Sequence, residues 1–203
     1  MRKILTPRGY LSWSQIDMWL RNPEKYARRY FYGEKDSKSQ YMALGSRVAD
    51  ALDGEKTEDD ILQMLCSLIP RYENPEYEIK VIFKTEDGEV DLLGKIDSFN
   101  PSPLKFLEYK TGRVPWTQRR AEGHKQLDHY AAMIWLQKKR IPEISLIWAQ
   151  TDFKESGELD LTGKIKTFKV KKTLGDILEY LALVSRVAHE IEEAYNKELN
   201  KIS

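Results

Sequence analysis

Cysteine is all but missing from this chain. Cys66 stands alone, which excludes an internal disulfide and any zinc or iron–sulfur centre ligated by cysteines of one chain. It sits in the apolar run Ile61-Leu62-Gln63-Met64-Leu65-Cys66 and reads as a buried structural thiol rather than a reactive one. Long hydrophobic runs are missing too, with nothing near the ~20 apolar residues that cross a bilayer. The opening MRKILTPRGYLSWSQ has two early basic residues but no apolar core of signal-peptide length and no small-residue cleavage site. The expectation is a cytoplasmic protein with no membrane partner. No repeat, low-complexity stretch or linker interrupts the chain. Charge of one sign is lacking overall, at a net +1, so the total says nothing about nucleic acid.

The distribution of charge says more. Residues 105–140 hold nine Lys/Arg against three Asp/Glu, whereas residues 50–60 hold six acids against one base. A basic segment beside carboxylates attracts a polyanion that carboxylates alone would repel; a helix with a basic solvent face is the plainer account. At 203 residues, with 41% hydrophobic and 32% charged, the chain has the composition of a soluble globular protein and the length of one compact domain.

Periodicity divides that domain into a helical part (1–72), a sheet with a crossover helix (73–172) and a C-terminal helix (173–203). Ser12 with Gln15 reads as a capping box opening a helix to Leu20, and Pro23 starts a second helix to about Phe31. Further helices are expected over 40–53 and, from Thr57, over 57–69. Alternation then predicts strands over 77–85 and 90–99 around the turn Glu86-Asp87-Gly88-Glu89, and a short strand from Leu104 to Tyr109. One helix over 116–139, strands near 144–151 and 164–170, and a helix capped by Thr173 to about 198 complete an α/β fold around a mixed central sheet flanked by helices.

Two carboxylates fall at the ends of neighbouring expected strands, Asp97 after Gly94-Lys95-Ile96 and Glu108 in Leu107-Glu108-Tyr109-Lys110. Antiparallel pairing can bring them together, and alternation puts Glu108 and Lys110 on one face. Such an all-oxygen site, to which the Tyr109 carbonyl could add a ligand, suits a hard divalent ion such as Mg²⁺ or Mn²⁺. Lys110 would orient a water and offset charge on an attacked phosphate. A Glu-x-Lys pair alone is more often a solvated strand ion pair.

The surroundings sharpen this. Gly94-Lys95-Ile96-Asp97, Glu108-Tyr109-Lys110-Thr111-Gly112 and Gln126-Leu127-Asp128-His129-Tyr130 match G-x-I/L-D, D/E-x-K-S/T-G and Q-x-x-x-Y. Leu11-Ser12-Trp13-Ser14 with Asn22-Pro23-Glu24-Lys25-Tyr26 is similar to an N-terminal S-x-S … C-P-x-x-F/Y segment, and Gly45 to Ala49 falls where G-x-x-x-H is expected. From Leu11 to Tyr130 the chain thus resembles the RecB-like exonuclease branch of the PD-(D/E)XK nuclease superfamily. The resemblance implies a restriction-endonuclease-like core and metal-dependent hydrolysis of DNA, at ends or on single strands. Asp97 and Glu108 would be metal-binding acids and Lys110 the catalytic lysine. Gln126 and Tyr130 would contact the active site or the DNA.

Two departures stand out. Ala49 replaces a family histidine that ligates metal in relatives, for which Asp53, one turn on, is a better substitute than Asp50, although solvation is the plainer fate of both. Asn22 replaces a cluster cysteine, which excludes the iron–sulfur form of CRISPR-associated and AddB-type relatives. Arg113, Arg119 and Arg120 are candidate phosphate contacts, and Trp116 and the N-terminal aromatics could stack on bases or pack in the core. Glu78 offers an outer carboxylate or an exposed strand acid; His124 and His129 flank Gln126, His124 as a phosphate contact or, like His129, a solvated helix position. Two other readings stay open: a nuclease fold that binds nucleic acid without cleaving it, and a structural or interaction module.

Overall fold

The computed structural model describes residues 1–35, 37, 39–70 and 72–202. Its elements are β1 (Leu11–Ser12), α1 (Trp13–Arg21), α2 (Pro23–Tyr30), α3 (Gln40–Asp53), α4 (Asp60–Leu68), β2 (Asn74–Lys84), β3 (Glu89–Pro101), β4 (Leu104–Gly112), α5 (Gln118–Glu122), α6 (Lys125–Lys138), β5 (Glu143–Phe153), β6 (Leu159–Val170) and α7 (Leu174–Ile202). Ser203, the end of the expected C-terminal part, lies outside the described residues.

Six strands form one mixed sheet with helices on both faces. β2, β3 and β4 run antiparallel in succession, β4 and β5 are parallel through the crossover containing α6, and β6 returns antiparallel to β5. One face carries α1, α2, α6 and α7 over Ile96, Phe106, Leu146 and Phe168. The other carries α3 and α4 over Leu107, Ile147 and Leu161. Phe106 and Leu107 belong to opposite cores, as strand alternation requires.

The arrangement around β3 positions everything that follows. β2 pairs along nearly its whole length, but its other edge is shared. Leu92 and Leu93 pair in parallel with Leu11 and Ser12 of β1, and β4 pairs only from Ser98 to Pro101. Residues 94–97 therefore have no ladder partner on that side, and the sheet is split there.

Several boundaries differ from the sequence expectation. The helix expected over 116–139 is broken, because the Thr117 side chain caps α5 and Gly123-His124 start α6 afresh. Asp59, not Thr57, caps α4 by accepting from the amides of Ile61 and Leu62. Thr57 accepts from the Asp59 amide, one residue outside the helix. Ser12 makes no side-chain bond to its helix amides; Gln15 is buried and donates to the Tyr10 carbonyl instead. β6 begins at Leu159, five residues earlier than expected, closing a hairpin around Gly157 at φ 81°. At the last helix the capping expectation holds, with Thr173 Oγ1 accepting from the Asp176 amide and Asp176 accepting from the Thr173 amide.

Most of the N-terminal aromatics pack rather than project, Tyr32 being exposed. Tyr26 is fully buried against Trp19, Tyr30 and Phe31, and Phe31 continues to Tyr195 of α7. Cys66 is half-buried, its thiol 3.3 Å from the Ala51 carbonyl. Among the described residues no helix is long and apolar enough to cross a membrane.

Candidate active site

Glu108, Lys110 and Asp97 meet at the split. Alternation along β4 sends Glu108 and Lys110 to the α6 face, whereas β3 breaks its alternation, with both Ile96 and Phe99 in the α6-face core, and Asp97 between them lines the cavity on the α3 face. They meet because the strands part there: Asp97 Oδ2 accepts from the Tyr109 amide at 2.6 Å, standing in for a missing ladder acceptor. The Asp97 and Glu108 carboxyl groups interact directly, and Lys110 Nζ contacts Glu108 Oε1. In an extended strand the N–H and C=O of one residue face the same side. The Tyr109 carbonyl therefore faces the opening that its N–H faces.

Burial dominates the electrostatics. Glu108 is 1% exposed, and its Oε2 has no hydrogen-bond partner among the described residues. Loss of solvent pushes its carboxyl up to about 8, against the pull of the Lys110 ammonium and with a further push from Asp97. Asp97 is also raised by burial, moderated by the Tyr109 amide and Lys110.

On the α3 face, Asp97 lines a cavity of about 130 Å³ with Gly45, Val48, Ala49, Asp53, Glu76, Tyr109 and Thr111. Ala49 thus faces the same space as Asp97. Asp53 is exposed on the last turn of α3, its carboxyl raised by partial burial and then by Glu76 and Asp50. Asp50 itself lines a separate pocket with Arg47 and Thr57. Glu76 is the residue sequence reasoning missed. It lies in β2 at φ 47°, an uncommon conformation for a residue with a side chain, between the pairs Pro75/Ser98 and Tyr77/Ile96. Glu78, offered by the sequence as an outer carboxylate or an exposed strand acid, is the latter: it is exposed, 2.8 Å from Lys80 and outside this cavity. No local sequence signal announces a positive φ at Glu76; the neighbouring Pro75 is the only hint.

On the α6 face, Lys110 Nζ donates to Gln126 Oε1 at 2.8 Å, and Gln126 Nε2 donates to the Tyr130 hydroxyl at 2.8 Å. Tyr130 in turn donates to the Lys95 carbonyl, one of those left unpaired by the split. Just beyond the split, His129 Nε2 meets the Leu93 carbonyl at 3.1 Å while Nδ1 meets the Tyr180 hydroxyl at 3.0 Å. Contrary to the solvated position the sequence suggests, His129 is fully buried and its pKa is lowered to about 4 by desolvation. His124 is lowered to about 4 by burial and then by Lys110, and its Nε2 is buried without a partner among the described residues. A neutral, enclosed imidazole offers no charge to a phosphate.

The basic residues of the α5 region are partly committed. Arg113 pairs with Asp152 at 2.9 Å, and Arg120 lies 4.3 Å over the Trp116 ring. Arg119 is exposed. Trp116 is buried beside His124 at 5.1 Å, so it packs rather than presenting a stacking face.

No protein-family model matches the sequence, and no curated protein matches it. Solved structures do. A candidate exonuclease from Eubacterium rectale superimposes with a TM-score of 0.62 at 16% identity, over 94% of this chain and 83% of its own. At that identity the likeness establishes a shared fold, which in this chain is a six-stranded mixed sheet with flanking helices. Weaker likenesses are to SSO0001 (TM-score 0.49, 12% identity, 91% and 70% of the two chains) and to Dxo1 of K. lactis in complex with manganese (TM-score 0.25, 16% identity, 61% and 38%).

Proposed function

We propose that this protein is a divalent-metal-dependent nuclease of the PD-(D/E)XK type that hydrolyses phosphodiester bonds of DNA, as an exonuclease on ends or single strands. The observation carrying this reading is the meeting of Asp97, Glu108 and Lys110 at the split, with a buried Glu108 oxygen left unpartnered. The fold shared with a candidate exonuclease supports it.

The donor set fits a hard cation that keeps much of its water. Among the described residues no three His, Cys, Asp or Glu side chains are grouped to hold an ion by themselves. What the split offers is the carboxylates of Asp97 and Glu108 and the Tyr109 carbonyl. Mg²⁺ is commonly held by one or two carboxylates together with water and substrate phosphate. When bound, such an ion supplies charge that stabilises the attacking and leaving oxygens of an in-line displacement. The protein's part is then definable. Asp97 and Glu108 hold the ion's place, while the Tyr109 amide fixes the rotamer of Asp97. The Lys110 ammonium, held between Glu108 and Gln126, faces the charge that builds on the phosphate. Arg113, Arg119 and Arg120 would meet flanking phosphates, which requires Arg113 to leave Asp152.

Labelled single- and double-stranded oligonucleotides incubated with Mn²⁺ test this. Cleavage should stop with chelator and in Lys110→Ala; full cleavage in chelator ends the reading. A second reading has its own observation: Ala49 puts a methyl group on the cavity wall where relatives carry an imidazole. The protein would then bind nucleic acid without cutting it, and the same assay would show retention of the oligonucleotide with no product.

A further inference from the structure

Tyr130 is the family-motif residue whose job the geometry narrows most. It is 4% exposed, wedged edge-on against Phe106 at 5.9 Å, with its hydroxyl enclosed between Gln126 and the Lys95 carbonyl. Nucleic acid has no route to that hydroxyl. We infer that Tyr130 is a positioning residue that sets the direction of the Gln126 amide, and through it the orientation of the Lys110 ammonium. This rests on the nuclease reading above.

The argument is one of hydrogen-bond polarity. A glutamine amide has an accepting end and a donating end, and either can face a neighbour. Lys110 can only donate, so it is held only if Gln126 turns its oxygen that way. The Lys95 carbonyl can only accept, and the sheet split has left it without a ladder partner on that edge. Tyr130 must therefore spend its proton on Lys95, which leaves its oxygen as an acceptor. That oxygen takes the Gln126 NH₂ at 2.8 Å, so the Gln126 oxygen is left facing Lys110, also at 2.8 Å. His124 touches the Gln126 amide too, but a neutral imidazole donates or accepts and leaves the direction open. A backbone carbonyl orphaned in β3 thus dictates, through two side chains, how the lysine is held.

Tyr130→Phe keeps the packed ring and removes only the hydroxyl. With Mn²⁺ and a labelled single-stranded oligonucleotide, kcat should fall on the order of 10-fold to 100-fold, the scale of a misplaced catalytic group. The Kd for the same oligonucleotide should stay within about twofold, since no contact to it is lost. Gln126→Ala should reproduce that loss, and adding Tyr130→Phe to it should cost nothing more. The distinguishing variant is Tyr130→Phe with Gln126→Glu. A carboxylate presents an oxygen to Lys110 whichever way it turns, so most of the rate should return.

Lost affinity with intact kcat would make Tyr130 a nucleic-acid contact and overturn the inference. So would wild-type rates in Tyr130→Phe, additive losses, or no return of rate in the double variant, each with thermal melting confirming a folded protein. If the wild type cleaves nothing, the nuclease reading fails separately. The inference is then read from reductive methylation of Lys110 by mass spectrometry: Tyr130→Phe should quicken it several-fold, and an unchanged rate sinks it.

Discussion

Replacing Glu108 with glutamine should make the metal-free protein more stable, and more so as pH rises. Glu108 is 1% exposed, and desolvation lifts its carboxyl from the ordinary 4.5 to about 8. A folded pKa above the unfolded one means that the fold prefers the protonated acid. Stability from this group is whole below pH 4.5 and declines as pH climbs through about 8. At pH 7.5 the interval above 4.5 corresponds to about 4 kcal/mol at 1.36 kcal/mol per unit. Glutamine keeps the shape and an acceptor for Lys110 and has nothing to ionise. The gain should be a few kcal/mol at pH 7.5, or roughly 5–15 °C in Tm for a chain of this length, and should vanish near pH 4.5. Guanidinium denaturation in chelator, followed by fluorescence of the five tryptophans, measures it. A variant that is less stable at pH 7.5, or whose gain is the same at both pH values, refutes the reasoning. Added Mn²⁺ should reverse the ranking, because a ligand stabilises the protein that binds it.

Other perturbations test other parts of the frame. His129 is fully buried and lowered to about 4, so the fold favours its neutral form; stability is whole above about 6.5 and is lost as pH falls towards 4, by about 3 kcal/mol. His129→Gln should be destabilised at pH 7 yet lose less on acidification, and equal pH slopes would count against the assignment. Gly94→Ala would place a Cβ 3.0 Å from Ile79 Cγ2 and 3.1 Å from both Met133 Sδ and Tyr130 Cδ1. It should cost about 1–3 kcal/mol by overpacking, read as a lower denaturation midpoint. Glu76→Gly removes a side chain from φ 47° and should stabilise by about 1 kcal/mol; a loss of stability would show that Glu76 holds the strand by some other contact.

Much of the β3–β4 strand pair could be read from alternation and turn residues alone. Asp97 and Glu108 lie on two consecutive strands joined by a short turn, so a hairpin puts them near each other even though the ladder itself stops at Ser98. The Gln126/Tyr130 spacing likewise forced a shared helical face. What escaped was set by tertiary contact. β1 is two residues long, too short for any period to register, yet it takes part of the β3 edge. Gly123-His124 sits inside a helical pattern that reads on unbroken, and only the fresh cap shows the restart. His129 reads as solvated because helix histidines usually are; its actual partners, Leu93 and Tyr180, come from elsewhere in the chain. Glu76 owes its place to a backbone twist that no side-chain pattern encodes.

The split in the sheet is a contest between two strands for one edge. β4 could extend its pairing along β3 only by moving into the stretch before Ser98, and β1 already holds Leu92 and Leu93 just beyond it. With Asp97 capping the Tyr109 amide and Tyr130 and His129 capping the Lys95 and Leu93 carbonyls, the zipper is stopped from both ends and along its teeth. The gap is therefore a fixed aperture rather than a loosened ladder. Its width depends on the few residues that precede α1 as much as on the acids that line it.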